Sequence, residues 1–139
     1  LIKSITRELN TALILITHNL GTVARYARRV YVMYGGMIME HGTAMDVYHT
    51  PCHPYTAGLL ASVPRLDEPR KTRLVPIEGQ PPDLIFPPGG CLFQPRCAYQ
   101  VADCSTGRPP LLEVGPQHFS SCLLAHKGIK EWQTITSLK

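Results

Sequence analysis

The stretch "RVYVMYGGMIMEHG", residues 29–42, decides how the first half of the chain is read. Two runs rich in β-branched and apolar residues, 29–34 and 37–42, flank the pair Gly35 and Gly36. Adjacent glycines supply the positive φ angles that a tight two-residue turn demands, so the segment is predicted to be a β-hairpin. Just upstream, "TALILIT" (11–17) is apolar and β-branched with little alternation. That pattern predicts a strand buried on both faces of a mostly parallel sheet. Between the two, "HNLGTVARYA" (18–27) has Leu20, Val23, Ala24 and Ala27 on one helical face, with Thr17 or Asn19 able to cap it. A first helix is predicted over 1–9, where Leu1, Ile2, Ile5 and Leu9 share a face and Asn10 follows as a cap. A start inside a helix reads as a piece of a longer chain. Past the hairpin, Thr43 begins a short helix over 44–49, and a second helix over 55–63 follows the break "TPCHP" (50–54). Helices and strands alternating in this way predict the closing part of an α/β domain with a small antiparallel edge.

The composition then changes. From Pro64 to Gly90 there are seven prolines and one short strand candidate, 73–77. Prolines 81, 82, 87 and 88 favour extended backbone. Beyond Gly90 lie four of the five cysteines and few periodic segments. The expected organisation is 1–63 as the α/β part, 64–90 as a Pro-rich linker, 91–125 as a Cys-rich module and 126–139 as a tail. So irregular a segment buries little core unaided, and a covalent or metal staple is expected. Fourteen basic against ten acidic residues give a net charge of +4, spread along the chain. There is no basic stripe with interleaved aromatics, which argues against nucleic acid as a partner. No run approaches the roughly 18 apolar residues that span a bilayer.

Two sets of residues carry candidate chemistry. His18 follows the strand expected over 11–17 and precedes a helix, and ligands of open α/β sheets gather at that end of a strand. There an imidazole can donate to a phosphate oxygen, or serve only as a linker residue. Cys91, Cys97, Cys104 and Cys122 are separated by five, six and seventeen residues. Disulfides, inert thiols, zinc and an iron–sulfur cluster all fit four cysteines. Structural zinc usually brings a C-x₂₋₄-C knuckle, and ferredoxin runs use tighter spacing; neither pattern is present. His118 and His126 are possible substitute ligands, and Cys52 is the odd thiol, read as structural. In "HPYT" (53–56), Pro54 suits the first turn of a helix and Tyr55 suits docking on the α/β part, so a structural role is expected.

Residues 15–66 resemble the end of the ATP-binding subunits of ABC transporters: "ITH", a helix, then "RVYVMYGGMIMEHG". The run "PCHPYTAGLLASVP" (51–64) is narrower and is similar to the extension of oligopeptide and dipeptide importer subunits, as are "PPGGCLFQPRCAYQVADC" and "PPLLEVGPQHFSSC". The resemblance implies the C-terminal part of an ABC-type P-loop ATPase domain, followed by a small metal-stapled extension. It implies that His18 is the switch histidine sensing the γ-phosphate, although Asn19 stands where the family usually has Asp and Arg28 where it has an acid. It also implies a cytoplasmic face, where stable disulfides are rare. Cys91, Cys97, Cys104 and Cys122 are then ligands of a [4Fe–4S] cluster, with zinc as the alternative. Implied partners are a second ATPase subunit, two transmembrane permease subunits and a solute-binding protein, on the inner face of a bacterial or archaeal membrane. ATP and Mg²⁺ belong to the complete subunit. No G-x-x-x-x-G-K-[ST] loop, signature motif or general base occurs in these 139 residues, so they are expected to be inactive alone. The competing reading is a stand-alone zinc-binding interaction module.

Overall fold

In β1 (Arg29–Tyr34) every second side chain, Val30, Val32 and Tyr34, turns inward. Gly35 and Gly36 then take φ +57° and +79°, and the chain reverses into β2 (Met37–Thr43). Both turn residues sit in the left-handed region that glycine tolerates, and such turns match the twist of the strands they join. These features belong to a computed structural model that describes residues 2–63 and 76–133. The strand candidate 73–77 and the Pro-rich linker of 64–90 fall partly outside the described residues, as does the end of the 126–139 tail.

Helix α1 (Ile2–Glu8) ends at Asn10, which adopts φ +47°. In α2 (Leu20–Tyr26), Asn19 is the cap and its Oδ1 accepts the Thr22 N–H at 3.0 Å. Thr43 caps α3 (Ala44–His49) by accepting from the Asp46 N–H. Helix α4 (Pro54–Ala61) opens with Pro54 in its first turn and His53 as its cap. Val30, Val32 and Val47 form a core beneath β1, against Val23, Ala27 and Leu59.

Two expectations are corrected. Residues 11–17 form no strand. A strand exists only where a neighbour completes its ladder, and none of the described residues does so here. Leu13, Ile14, Leu15 and Ile16 are exposed as a result, Ile16 at 95%. Nor is the sheet parallel: it is four-stranded, antiparallel, in the order β1-β2-β4-β3. Its other two strands, β3 (Leu112–Gly115) and β4 (His118–Ser120), come from within the Cys-rich segment. Glu40 of β2 lies opposite Ser120 of β4, and His41 opposite Phe119. The hairpin and the Cys-rich segment therefore share one sheet. On its solvent side the rings of Tyr31, His41 and Phe119 stack across three strands at 4.8 and 4.5 Å.

A second core joins Tyr34 and Met39 to Cys91, Leu92 and Phe93. A third packs Cys52, Ala57, Cys122 and Ala125 around Trp132, whose indole N–H donates to the Pro51 carbonyl at 2.9 Å. None of the described helices is long and apolar enough to cross a membrane.

Candidate metal centre

The Cys-rich segment is built from short turns, each of which presents one thiol. The amide of Cys91 donates to the Cys104 carbonyl at 2.8 Å, bringing two distant cysteines together. Gly90 makes this approach possible: a Cβ there would sit 2.1 Å from the Cys104 oxygen. Cys97 closes the 3₁₀ turn Gln94–Arg96, and Cys104 lies inside a second one, Ala102–Ser105. Cys122 is the cap of α5 (Leu123–His126), directly after β4. All four thiols are free and line one small cavity, together with His53 and Phe93.

Electrostatically the cavity is hostile to thiolates. Burial pushes the Cys97 thiol up to about 12 and Cys122 up to about 11, and the neighbouring thiols add to both. Cys91 is raised for the same reasons, burial first and then Cys104. A buried thiolate here lacks a compensating positive charge, which a bound metal provides. Arg96 does not supply it. Its guanidinium instead donates to the Ile77 and Glu78 carbonyls and to the Tyr34 hydroxyl, pinning the end of the linker to β1.

The "HPYT" run joins this cavity to the rest of the fold. Tyr55 packs on Tyr34 and Phe93 at 4.6 and 5.3 Å between ring centres. His53 is buried, its ring 6.0 Å from Phe93, and its Nδ1 accepts the Tyr55 N–H at 3.1 Å. Burial lowers its pKa to about 3, so the ring is neutral.

A second cluster lies nearby. Among the described residues, Glu40, Cys52 and His118 form the one group of potential ligands whose donor atoms all lie within 4.8 Å of one another. Its hydrogen bonds are those of an ion pair. His118 Nε2 meets Glu40 Oε1 at 2.7 Å, and the same oxygen accepts the Cys52 N–H at 2.6 Å. The Cys52 thiol donates to the Thr50 carbonyl, leaving its sulfur to face His118 Nδ1 at 3.6 Å. Burial alone would lower the His118 pKa, but Cys52 and Glu40 together raise it to about 9. An imidazolium donating from both nitrogens accounts for every contact except Glu40 Oε2, which is buried without a partner. The cluster thus ties β2, the Pro51–Cys52 turn and β4 together.

The structure separates the residues singled out from sequence. His18 lies on an exposed bend ahead of α2, far in character from the buried cysteine cavity. Of the suggested substitute ligands, His118 is engaged by Glu40 and Cys52, and His126 bonds the Ser120 carbonyl at 2.8 Å. Sequence reasoning missed the Glu40–His118 pair and the placement of His53 in the cavity lining. Nothing local to either histidine signals it, because each position depends on a distant strand or turn.

Residues 39–104 match the family model described as the oligopeptide/dipeptide transporter, C-terminal region. Over that segment the chain has the sequence pattern of this C-terminal region. Its similarity to curated ATP-binding proteins of the family runs well beyond the matched segment. It is 48% identical over 122 residues to the oligopeptide transport ATP-binding protein OppD of Escherichia coli, covering 88% of this chain and 36% of that protein. It is 47% identical over 124 residues to the dipeptide transport ATP-binding protein DppD of Bacillus subtilis, covering 89% and 37%. With OppD of Mycobacterium tuberculosis the identity is 47% over 110 residues, 79% of this chain and 18% of that protein. The chain thus spans little more than a third of the first of these relatives. The family segment begins inside β2 and ends at Cys104, and so takes in the Glu40 carboxylate, the "HPYT" run and three of the four cavity cysteines.

Proposed function

We propose that the chain is the C-terminal part of the ATP-binding subunit of an ABC importer for oligopeptides, dipeptides or related solutes, and that its four-cysteine cavity holds a [4Fe–4S] cluster. The observation that carries the second half is the convergence of Cys91, Cys97, Cys104 and Cys122 on one cavity. The wide intervals between them in the sequence suit a loop wrapped around a bulky cluster better than a single ion. When bound, such a cluster cross-links four chain segments through iron–thiolate bonds and supplies the positive charge that lets the buried thiols ionise.

The chain's own residues do the rest. Gly90 lets Cys91 reach the Cys104 carbonyl, α4 brings His53 and Tyr55 against Phe93, and β4 delivers Cys122 from the far end of the segment. In the complete subunit His18 is the switch histidine, contacting the γ-phosphate, and ATP hydrolysis is coupled to import. That subunit works with a second ATPase subunit, two permease subunits and a solute-binding protein at the cytoplasmic face of the membrane. The exposed run 11–16 fits such a setting, since an apolar strand of this kind is completed by neighbouring strands.

The test of the cluster is anaerobic purification with iron and acid-labile sulfide analysis. Near-equal iron and sulfide, lost in Cys97→Ser, is the expected result. A colourless protein with stoichiometric zinc refutes it. For the transporter reading, His18→Ala in the complete subunit should abolish ATP hydrolysis by the assembled importer while leaving its iron content unchanged. Undiminished hydrolysis refutes the role of His18.

A further inference from the structure

We infer that His53 is a hydrogen-bond donor of fixed tautomer aimed at the group held in the four-cysteine cavity, a positioning residue that raises that group's reduction potential. The inference rests on the reading of the cavity as an iron–sulfur site. Its basis is the first turn of α4. There Nδ1 of His53 accepts the Tyr55 N–H at 3.1 Å. A ring nitrogen that accepts carries no proton, so the one proton of the neutral imidazole sits on Nε2. Nε2 has no partner among the described residues. Yet the residue is only 2% exposed and lines the cavity beside the four thiols. In a loaded cavity the sulfurs are the acceptors that such a donor meets.

The fold holds this donor rigidly. Pro54 fixes the backbone at the start of α4, the Tyr55 N–H locks the imidazole, and Phe93 packs beside it. A donor to cluster sulfur draws off electron density and favours the more negative, reduced state, which raises the potential. His53 therefore has two jobs that one imidazole performs at opposite ends: capping the helix through Nδ1 and facing the cavity through Nε2. This explains why the position before Pro54 and Tyr55 takes a histidine where Ser, Thr, Asp or Asn caps as well.

The two jobs separate experimentally. In His53→Asn the amide oxygen still accepts a helix N–H, but the shorter side chain withdraws the distal donor. His53→Phe keeps a ring and removes both functions. The full chain and both variants are purified anaerobically, assayed for iron and sulfide, and titrated with dithionite while the reduced cluster is followed by EPR. The Asn variant is expected to load iron like the parent and to show a more negative midpoint potential. A loaded Asn variant with the parent's potential overturns the inference. Pulsed EPR on the reduced parent carrying ¹⁵N-histidine gives a second measurement that does not depend on any variant folding. Coupling to one histidine nitrogen near the cluster is expected, and its absence overturns the inference. A parent without iron or sulfide instead refutes the cluster reading itself, and that outcome is distinct from both.

Discussion

Raising the pH should unlock the buried His118–Glu40 pair, and the contacts of His118 set the sign of the effect. His118 has its pKa raised from 6.5 to about 9, burial being outweighed by Cys52 and Glu40. The folded state thus holds a proton that the unfolded chain releases near 6.5. The stabilisation is fully present below that value and is lost as pH rises through about 9. Each pH unit inside the window removes about 1.4 kcal/mol, and the whole shift amounts to about 3 kcal/mol. Other groups leave the window clear. His53 and His41 have lowered values and act only below 6.5, while the raised cysteines act above their ordinary range near 9. Urea unfolding followed by the single tryptophan, Trp132, reads the effect from pH 7 to 8.5, because that indole is 1% exposed when folded. The parent should lose about 2 kcal/mol over this interval, and His118→Gln should show a flat profile at lower overall stability. A flat parent profile, or the same slope in the variant, would refute the reasoning.

Gly42→Ala places a Cβ 2.9 Å from the His118 ring, so it should push the imidazole off Glu40 and flatten the same pH profile without touching a titratable group. Gly90→Ala meets the Cys104 carbonyl at 2.1 Å and the Ser105 backbone at 2.8 Å, neither of which is a side chain able to swing away. It should cost on the order of 3 kcal/mol and lower the iron bound per chain, measured by thermal unfolding and metal analysis. Arg96→Ala removes donors to Ile77, Glu78 and Tyr34, for a loss of about 1–3 kcal/mol in urea unfolding. Arg96→Lys should recover little of it, because an ammonium cannot reproduce the planar fork that spans all three acceptors. Trp132→Phe leaves the Pro51 carbonyl without its indole donor and should lower the melting temperature, which circular dichroism measures.

What could be read from the sequence divides along the range of the interaction. The hairpin at Gly35–Gly36, the caps Asn19 and Thr43, and Pro54 at the start of α4 are decided by neighbouring residues, and local chemistry suffices to find them. Residues 11–17 carry the composition of a buried strand, but composition cannot provide the neighbouring ladder that makes one. Strands β3 and β4 are only four and three residues long and were invisible to periodicity. The turn that joins them, with Gln117 at φ +55° after Gly115 and Pro116, was the available signal. At the candidate site, the four cysteines stood out by type and number. Their meeting around one cavity depends on the Cys91–Cys104 backbone contact and on β4, neither of which leaves a local trace. Glu40 is fully buried because the β-bulge in the hairpin and the arrival of His118 enclose it, and neither is marked by the residues next to it in the chain.

The pairing of β2 with β4 also orders events in time. Glu40 and His118 stand 78 residues apart in the chain, so their contact closes a long loop and is a slow step of the search for the fold. Cys122 follows immediately behind β4, whereas Cys91, Cys97 and Cys104 leave the ribosome before it. A chain stopped short of β4 holds three of the four cavity thiols and lacks the strand that brings the fourth. On the reading of the cavity as a cluster site, its four ligands are complete only after β4 has been made.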